Sequence, residues 1–333
     1  MATITGTSAA TLGAAAVNNI REDLGNVIYN VSPFQTPFTS GIAQTRATND
    51  NHEWLTDSLR ASVNTNKRIE ADSSDQPTAV TGGRVRIGNQ VQIASEIATV
   101  TKKAEFFDRA GVPGKEMAYQ LLKRGKELQM DVEKQMLATT QTKVAAAAGT
   151  AGVSGSFGTY IVTNQAFGTG GDGSPNAGNS GVGDGSTAPS LGSNGAIAQG
   201  DFDTLLDGVW NNSGDFSNLK IMAPAATVQS LRNTLKGISD DVNTDAASGE
   251  IIARVAVYVS QFGPVAIVPN KHMEANTMYL IDMSTWSMAT AGGQKIHTTE
   301  LSTSTSAEKM LLETYYTLEA RSEQANGAYY DMN

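Results

Sequence analysis

The sequence predicts an α+β protein with an elongated body, in which one long helix lies along long β-strands. An extended N-terminal arm and a protruding β-hairpin complete it. Three stretches carry this reading. Lys115–Lys143 (KEMAYQLLKRGKELQMDVEKQMLATTQTK) has no proline and one glycine. Its apolar residues Met117, Leu121, Leu128, Val132 and Met136, with Gly125 among them, recur every three or four positions, the spacing of one helical face. About 29 helical residues would span roughly 43 Å. Residues 85–97 alternate Val85, Ile87, Val91, Ile93 and Ile97 with polar partners, the period of a strand. EKMLLETYYTLEARSE at 308–323 alternates Met310, Leu312, Tyr316 and Leu318 against Leu311, Glu313, Tyr315 and Glu319, predicting a strand of roughly 40 Å.

In chain order, residues 1–43 form the arm and its anchor. The first 30 are small and polar, too poor in large apolar groups to pack a core. VSPFQTPF at 31–38 then sets stiffening prolines beside Phe34 and Phe38, whose rings need burial. Residues 44–101 read as a long hairpin, with Trp54 on the outgoing strand and a polar, turn-rich tip at 64–83. An isolated two-stranded hairpin is marginal in water, so its apolar face is expected to lie on the body or on a neighbour. Residues 102–148 hold the long helix, with Glu133 among the charges assigned to solvent. Residues 149–200 are rich in Gly, Ser and Asn and read as a surface insertion, within which 169–195 is expected to tolerate shortening.

Residues 201–300 form a central α/β part. Phe202, Leu205, Leu206, Val209 and Trp210 share a helical face; LKIMAP (219–224) is a short strand, followed by a helix carrying Val228, Leu231 and Leu235. A hairpin at 251–270 sets Val255, Val257 and Val259 against Val265 and Ile267, and 277–290 is one more strand-like run. Residues 301–333 supply the closing strand.

Composition narrows the chemistry. The chain of 333 residues carries a net charge of −9 and no cysteine, which excludes disulfides, thiolate chemistry and a phosphate-coating basic surface. No apolar run is long enough for a membrane span and no secretion leader is recognisable, so a soluble protein made in a cytoplasm is expected. His52, His272 and His297 stand far apart, without metal-ligand spacing. Asp241, Asn243 and Asp245 match positions 1, 3 and 5 of a calcium loop, but Ala246 and Ile252 fill the positions that need Gly and Glu. GTGGDG does not fit a dinucleotide loop, and no GxSxG or P-loop is present. No catalytic, cofactor-binding or metal-binding residue is assigned.

The order of parts, together with SPFQTPF (32–38), NHEWLTDSL (51–59), KEMAYQLLKRGKELQMDVEKQML (115–137), VYVSQFGPVAIVPN (257–270) and EKMLLETYYTLEARSEQANG (308–327), resembles the major capsid proteins of tailed bacteriophages. The resemblance implies their fold, with N-arm, E-loop, P-domain spine helix and A-domain. It implies homo-pentamers and homo-hexamers tiling an icosahedral shell around packaged double-stranded genomic DNA, held without sequence-specific binding. It further implies a virion location after assembly in the host cytoplasm, a portal protein as partner, and scaffolding and decoration proteins as optional ones, with no membrane. Phe34, Phe38, Trp54, Ile87, Val91 and Ile93 are the expected inter-subunit contacts. Lys67 and Asn326 are the residue types of the Lys–Asn cross-link that some such shells form, although nothing aligns them to it. The other classes weighed are a secreted adhesin or surface-layer protein, suggested by the Gly/Asn/Ser/Thr-rich composition, and an enzyme with an unrecognised site.

Overall fold

The long helix is the sharpest match between pattern and structure. In the computed structural model, which describes residues 34–59, 62–64, 67, 70, 84–107, 114–213, 215–234, 238–239, 242–244, 251–253, 257–293, 295–303 and 305–332, it spans 21 residues, Glu116–Met136. Met117, Leu128, Val132 and Met136 are buried along one face, and Leu121 packs at its edge. The helix is about 32 Å long, shorter than the run that predicts it. It stops where Thr139, Thr140 and Thr142, stiff at χ1, lower the helical propensity. There the chain dives beneath Gly158: a Cβ on Gly158 would stand 2.4 Å from the Thr139 carbonyl oxygen. Glu133, assigned to solvent by its charge, is instead fully buried.

The elements follow in order. α1 is Pro37–Gly41, β1 Ala43–Ala47, β2 Asn51–Thr56, β3 Val85–Gln90 and β4 Gln92–Thr101. α2 (Lys102–Phe106) leads to the long helix α3, then α4 (Phe157–Tyr160), β5 (Gln165–Phe167) and α5 (Gln199–Ser213). β6 (Leu219–Ala223), α6 (Ala225–Thr234), β7 (Ile238–Ser239), β8 (Val242–Thr244), β9 (Ile251–Ala253), β10 (Val257–Ser260) and β11 (Gly263–Pro269) come next. β12 (Met278–Asp282), β13 (Trp286–Ala291), β14 (His297–Leu301), β15 (Ala307–Ala320) and β16 (Gly327–Tyr330) complete the described residues.

Two sheets organise them. The first is built on β15, 14 residues and about 46 Å long. β4 pairs antiparallel along one edge from Ala307↔Thr101 to Tyr316↔Gln92. β13 and β14 share the other edge, and β1 adds to β13 in parallel. α3 lies on the β4–β15 ribbon, with Gly125 set over Leu312. The second sheet runs β5-β16-β12-β6-β11-β10-β7, with α5 burying Phe202, Leu205, Leu206 and Val209 as its periodicity predicts.

Several sequence expectations change. Among the described residues, the part of the hairpin that pairs with itself is β2 on β3, from Asn51↔Gln90 to Thr56↔Val85. The returning strand breaks at Val91, whose N–H turns to the Asp50 carbonyl, and β4 then joins the main sheet. Past the break, Ala94, Ala98 and Val100 face inward while Ile93 and Ile97 face out. Val259 is likewise 55% exposed, and Tyr258 takes the core side opposite Val265. The run 277–290 is two strands in different sheets, split by a turn at Met283–Thr285 whose start Asp282 caps through its side chain.

The largest correction concerns 149–200, which is not a loose surface excursion. Phe157, Tyr160 and Ile161 are wholly buried, and Phe157 stacks within 4.5 Å of both Tyr279 and Trp286. β5 pairs in parallel with β16. The following turns are stitched by buried Asn176, which donates to Thr159, Ile161 and Thr187 carbonyls, and by the Gly195 N–H on Asp331 O. The glycines let backbones approach where no Cβ fits: at Gly168 one would lie 2.2 Å from the Asp331 carbonyl oxygen. The arm at 1–33, most of the hairpin tip at 60–83, and Asp241 and Asp245 of the calcium-loop near-miss lie outside the described residues.

Candidate assembly surfaces

Phe38 is anchored by chemistry that the sequence conceals. It sits in α1, wholly buried, with ring centroids 6.2 Å from Phe157 and 6.5 Å from Trp286. The carboxylate of Glu133 receives the Phe38 N–H at 2.9 Å, the Thr39 N–H at 2.8 Å and the Asn270 Nδ2 at 2.8 Å. Three donors compensate the burial of that charge. The base of the arm is therefore clamped to α3 within the same chain.

A second carboxylate joins the hairpin to the body. Glu319 of β15 accepts from Thr45 of β1 (3.0 Å), His52 of β2 (3.3 Å), Ser287 of β13 (2.8 Å) and Arg321 (3.1 Å). Burial pushes its pKa up, but these four donors outweigh that and lower it to about 2. His52 is thus a strut inside the chain. Beside it, Trp54 donates its Nε1–H to the Ala320 carbonyl at 2.7 Å, its ring 6.2 Å from Tyr160. Asn89 is fully buried and donates to Ser154, Gly155 and Leu318, while its Oδ1 accepts from Gly155 N–H. Hairpin base, glycine-rich stretch and closing strand meet on that one amide.

The six expected contact residues therefore divide. Phe38, Ile87 and Val91 are buried in the chain's own core, which corrects their assignment to a subunit boundary. Trp54, half-buried, is committed to its own body. Phe34 and Ile93 remain exposed, at 38% and 58%. Ile93 has company the alternation did not single out: it pairs across the ribbon with Tyr315, and Ile97 with Leu311. Ile97 is also half exposed, so the outer face of the β4–β15 ribbon carries two apolar pairs flanking the Ser95–Glu313 pair. Leu55 and Leu59 on the hairpin arm are more exposed still.

Asn326 is buried at the opposite end of the same strand region. Its Oδ1 accepts from Trp286 Nε1 and Asp282 N–H, and its Nδ2 donates to Thr285 Oγ1 and the Ser322 carbonyl. With every polar position used inside the core, it has no free amide to offer Lys67. Among the described residues no cluster of His, Asp and Glu could hold a metal ion, and no helix is long and apolar enough to cross a membrane.

A spine helix along a long closing strand, an arm clamped at its base and a hairpin launched beside them define a capsid protein of the tailed-phage fold. The capsid of a native GTA particle has the same fold at a TM-score of 0.63 and 10% identity, covering 98% of this chain and all of that one. The capsid of cyanophage A-1(L) matches at a TM-score of 0.57 and 12% identity, over 96% and 98% of the two chains. The chain belongs to the SU10 major capsid protein family, whose sequence pattern matches residues 3–333. The major capsid protein of Escherichia phage Phieco32 is 30% identical over 124 residues, 36% of this chain; the match spans about a third of that relative's length. Family membership sets aside the adhesin and surface-layer alternative.

Proposed function

We propose that this chain is the shell-forming subunit of a phage virion. Copies assemble as pentamers and hexamers into a closed icosahedral container around packaged double-stranded DNA. The observation that carries this is the family match running from residue 3 to residue 333. The subunit acts by packing, not catalysis. In this reading residues 1–43 are the N-arm and anchor, 44–101 the E-loop, 102–148 and 301–333 the P-domain, and 201–300 the centre with the A-domain. The stripe of Ile93, Ile97, Leu311 and Tyr315 supports contact with a neighbouring copy, since apolar surface of this kind gains by leaving water. The net charge of −9 suits a container that encloses DNA without gripping it. One vertex would hold a portal protein; scaffolding and decoration proteins are the remaining partners, and assembly takes place in the host cytoplasm.

Negative-stain electron microscopy with sedimentation tests the proposal. Uniform shells tens of nanometres across, or rings that close into shells, are expected. A monomer or dimer that never assembles, even with the scaffolding fraction of a phage lysate, would overturn it.

A further inference from the structure

His272 lies on the loop between β11 and β12, against the clamp that holds α1 to α3. Its backbone N–H donates to Asn270 Oδ1 at 2.9 Å, and Asn270 in turn donates from Nδ2 to Glu133 Oε1 at 2.8 Å. Asn270 is also held by its own N–H, bonded to the Ala223 carbonyl at 2.9 Å. The imidazole reaches the other partner in the clamp, hydrogen-bonding to the backbone of Gln35, just ahead of α1. Nε2 is shut away from solvent and has no hydrogen-bond partner among the described residues, so the Gln35 bond belongs to Nδ1. A neutral ring suits this seat, with Nδ1–H donating and Nε2 carrying a bare lone pair. A protonated ring does not, because its second N–H would meet neither water nor an acceptor.

We propose that His272 is an acid-operated latch on this clamp: protonation drives the ring from its seat, breaks its bond to Gln35 and draws Asn270 off Glu133, so that α1 loosens from α3. Among the described residues, the charges that face the ring are Lys271 beside it and Glu133 and Asp131 on α3. The carboxylates favour the imidazolium and Lys271 opposes it. Burial is the largest effect, and with the Lys271 ammonium it holds the ring below its ordinary 6.5. A seated ring therefore stays neutral where a released one takes a proton, and acid favours release. The hold is complete above pH 6.5 and weakens as pH falls below it. Glu319, lowered from 4.5 to about 2, gives way only in stronger acid, so the two act in separate windows.

Amide hydrogen exchange on the full-length unassembled subunit tests the latch, with rates corrected for the intrinsic pH dependence of exchange. The Phe38 and Thr39 N–H groups, both held by Glu133, report on the clamp. The Val91 N–H, held by the Asp50 carbonyl at 2.8 Å, is the control on the hairpin side. From pH 7.5 to 5.5 the clamp amides are expected to open several-fold more often while Val91 holds steady. About tenfold is the ceiling, the most that one released imidazole titrating at about 6.5 supplies across that window. His272→Asn keeps a donor for Gln35 but cannot titrate, so its clamp amides should open equally at both pH values. The chain has three histidines, and an NMR titration of their imidazoles in the unaltered protein should place the His272 midpoint below 6.5. A midpoint at or above 6.5, or equal opening at both pH values in the unaltered chain, would overturn the proposal. So would a rise that Val91 shares or that persists in His272→Asn.

Discussion

Replacing Gly168 by alanine separates two physical accounts of the glycine-rich stretch by sign. If residues 168–198 were a linker, the methyl would cut the entropy of the unfolded chain and stabilise the subunit by about 0.4–1 kcal/mol. In the structure that Cβ would lie 2.2 Å from the Asp331 carbonyl oxygen and 2.6 Å from that of Gly195. Both are backbone atoms that cannot swing aside. Relieving the clash needs a shift of about 1 Å, at an overpacking penalty of about 1–3 kcal/mol. The shift also strains the Gly168 N–H bond to Tyr330 O (3.0 Å) and the Gly195 N–H bond to Asp331 O (2.7 Å), each worth about 1 kcal/mol.

The expected result is a loss of about 2–4 kcal/mol in urea unfolding of the unassembled subunit, read from the midpoint at constant slope. Gly200→Ala is the control, because no atom lies within 4 Å of its Cβ position and it sits in the first turn of α5. It should be neutral or gain up to about 1 kcal/mol. A Gly168→Ala subunit as stable as the unaltered one would refute the close-packing account and restore the insertion reading, along with its expectation that 169–195 can be shortened.

Three further outcomes are expected. Glu133→Ala strands the buried Phe38 N–H, the Thr39 N–H and the Asn270 amide, and should destabilise the subunit by about 3–5 kcal/mol in the same urea assay. A loss below about 1 kcal/mol would mean the clamp is dispensable. Glu319, lowered to about 2 from an ordinary 4.5, contributes stability that is complete above pH 4.5 and fades as pH falls toward 2. The upper bound is about 3 kcal/mol, and about half of that after screening by solvent that reaches Arg321. Glu319→Gln should flatten the decline of the urea midpoint between pH 5 and about 3; an unchanged pH profile would remove Glu319 as its cause. Ile93→Asp with Ile97→Asp should leave subunit stability within about 0.5 kcal/mol while abolishing closed shells under the microscope. Normal shells would take the β4–β15 stripe out of the assembly surface.

What the sequence made legible is what depends on near neighbours in the chain. The buried face of α3, the face of α5 and the inward side of β15 at Leu312, Tyr316 and Leu318 each repeat within a few residues, so periodicity finds them. Alternation failed where the chain changes direction. It runs unbroken through Val91 in sequence, yet the backbone turns there, and small Ala94 and Ala98 take the side facing α3 because the helix lies close above. Larger Ile93 and Ile97 are left to the outer face. Glycine content misled because the residue serves two opposite ends: freedom in a linker, and room for backbone contact at Gly158 and Gly168. Composition cannot tell these apart, since the atom that decides lies on another segment.

The same limit hides the polar anchors, and it suggests what they are for. Glu133 meets partners 94, 95 and 137 residues away, and Glu319 bonds across 267 and 274. In the chain each is one more carboxylate among 33 acidic residues. Apolar packing alone would let the arm base, the hairpin base and the closing strand slide against one another at little cost, because it is non-directional. A buried carboxylate or amide is different: it is satisfied at one register and strongly penalised at the next. Glu133 fixes the arm to the spine helix, Asn89 and Glu319 fix the hairpin to β15, and Asn326 fixes the end of β15 to Trp286 and Asp282. Glu133 sits at α1, where the described chain begins, and Asn89 and Glu319 sit at the base of the β2–β3 hairpin. A subunit built this way would hold α1 and the β2–β3 hairpin at set angles to the body before any neighbour arrives.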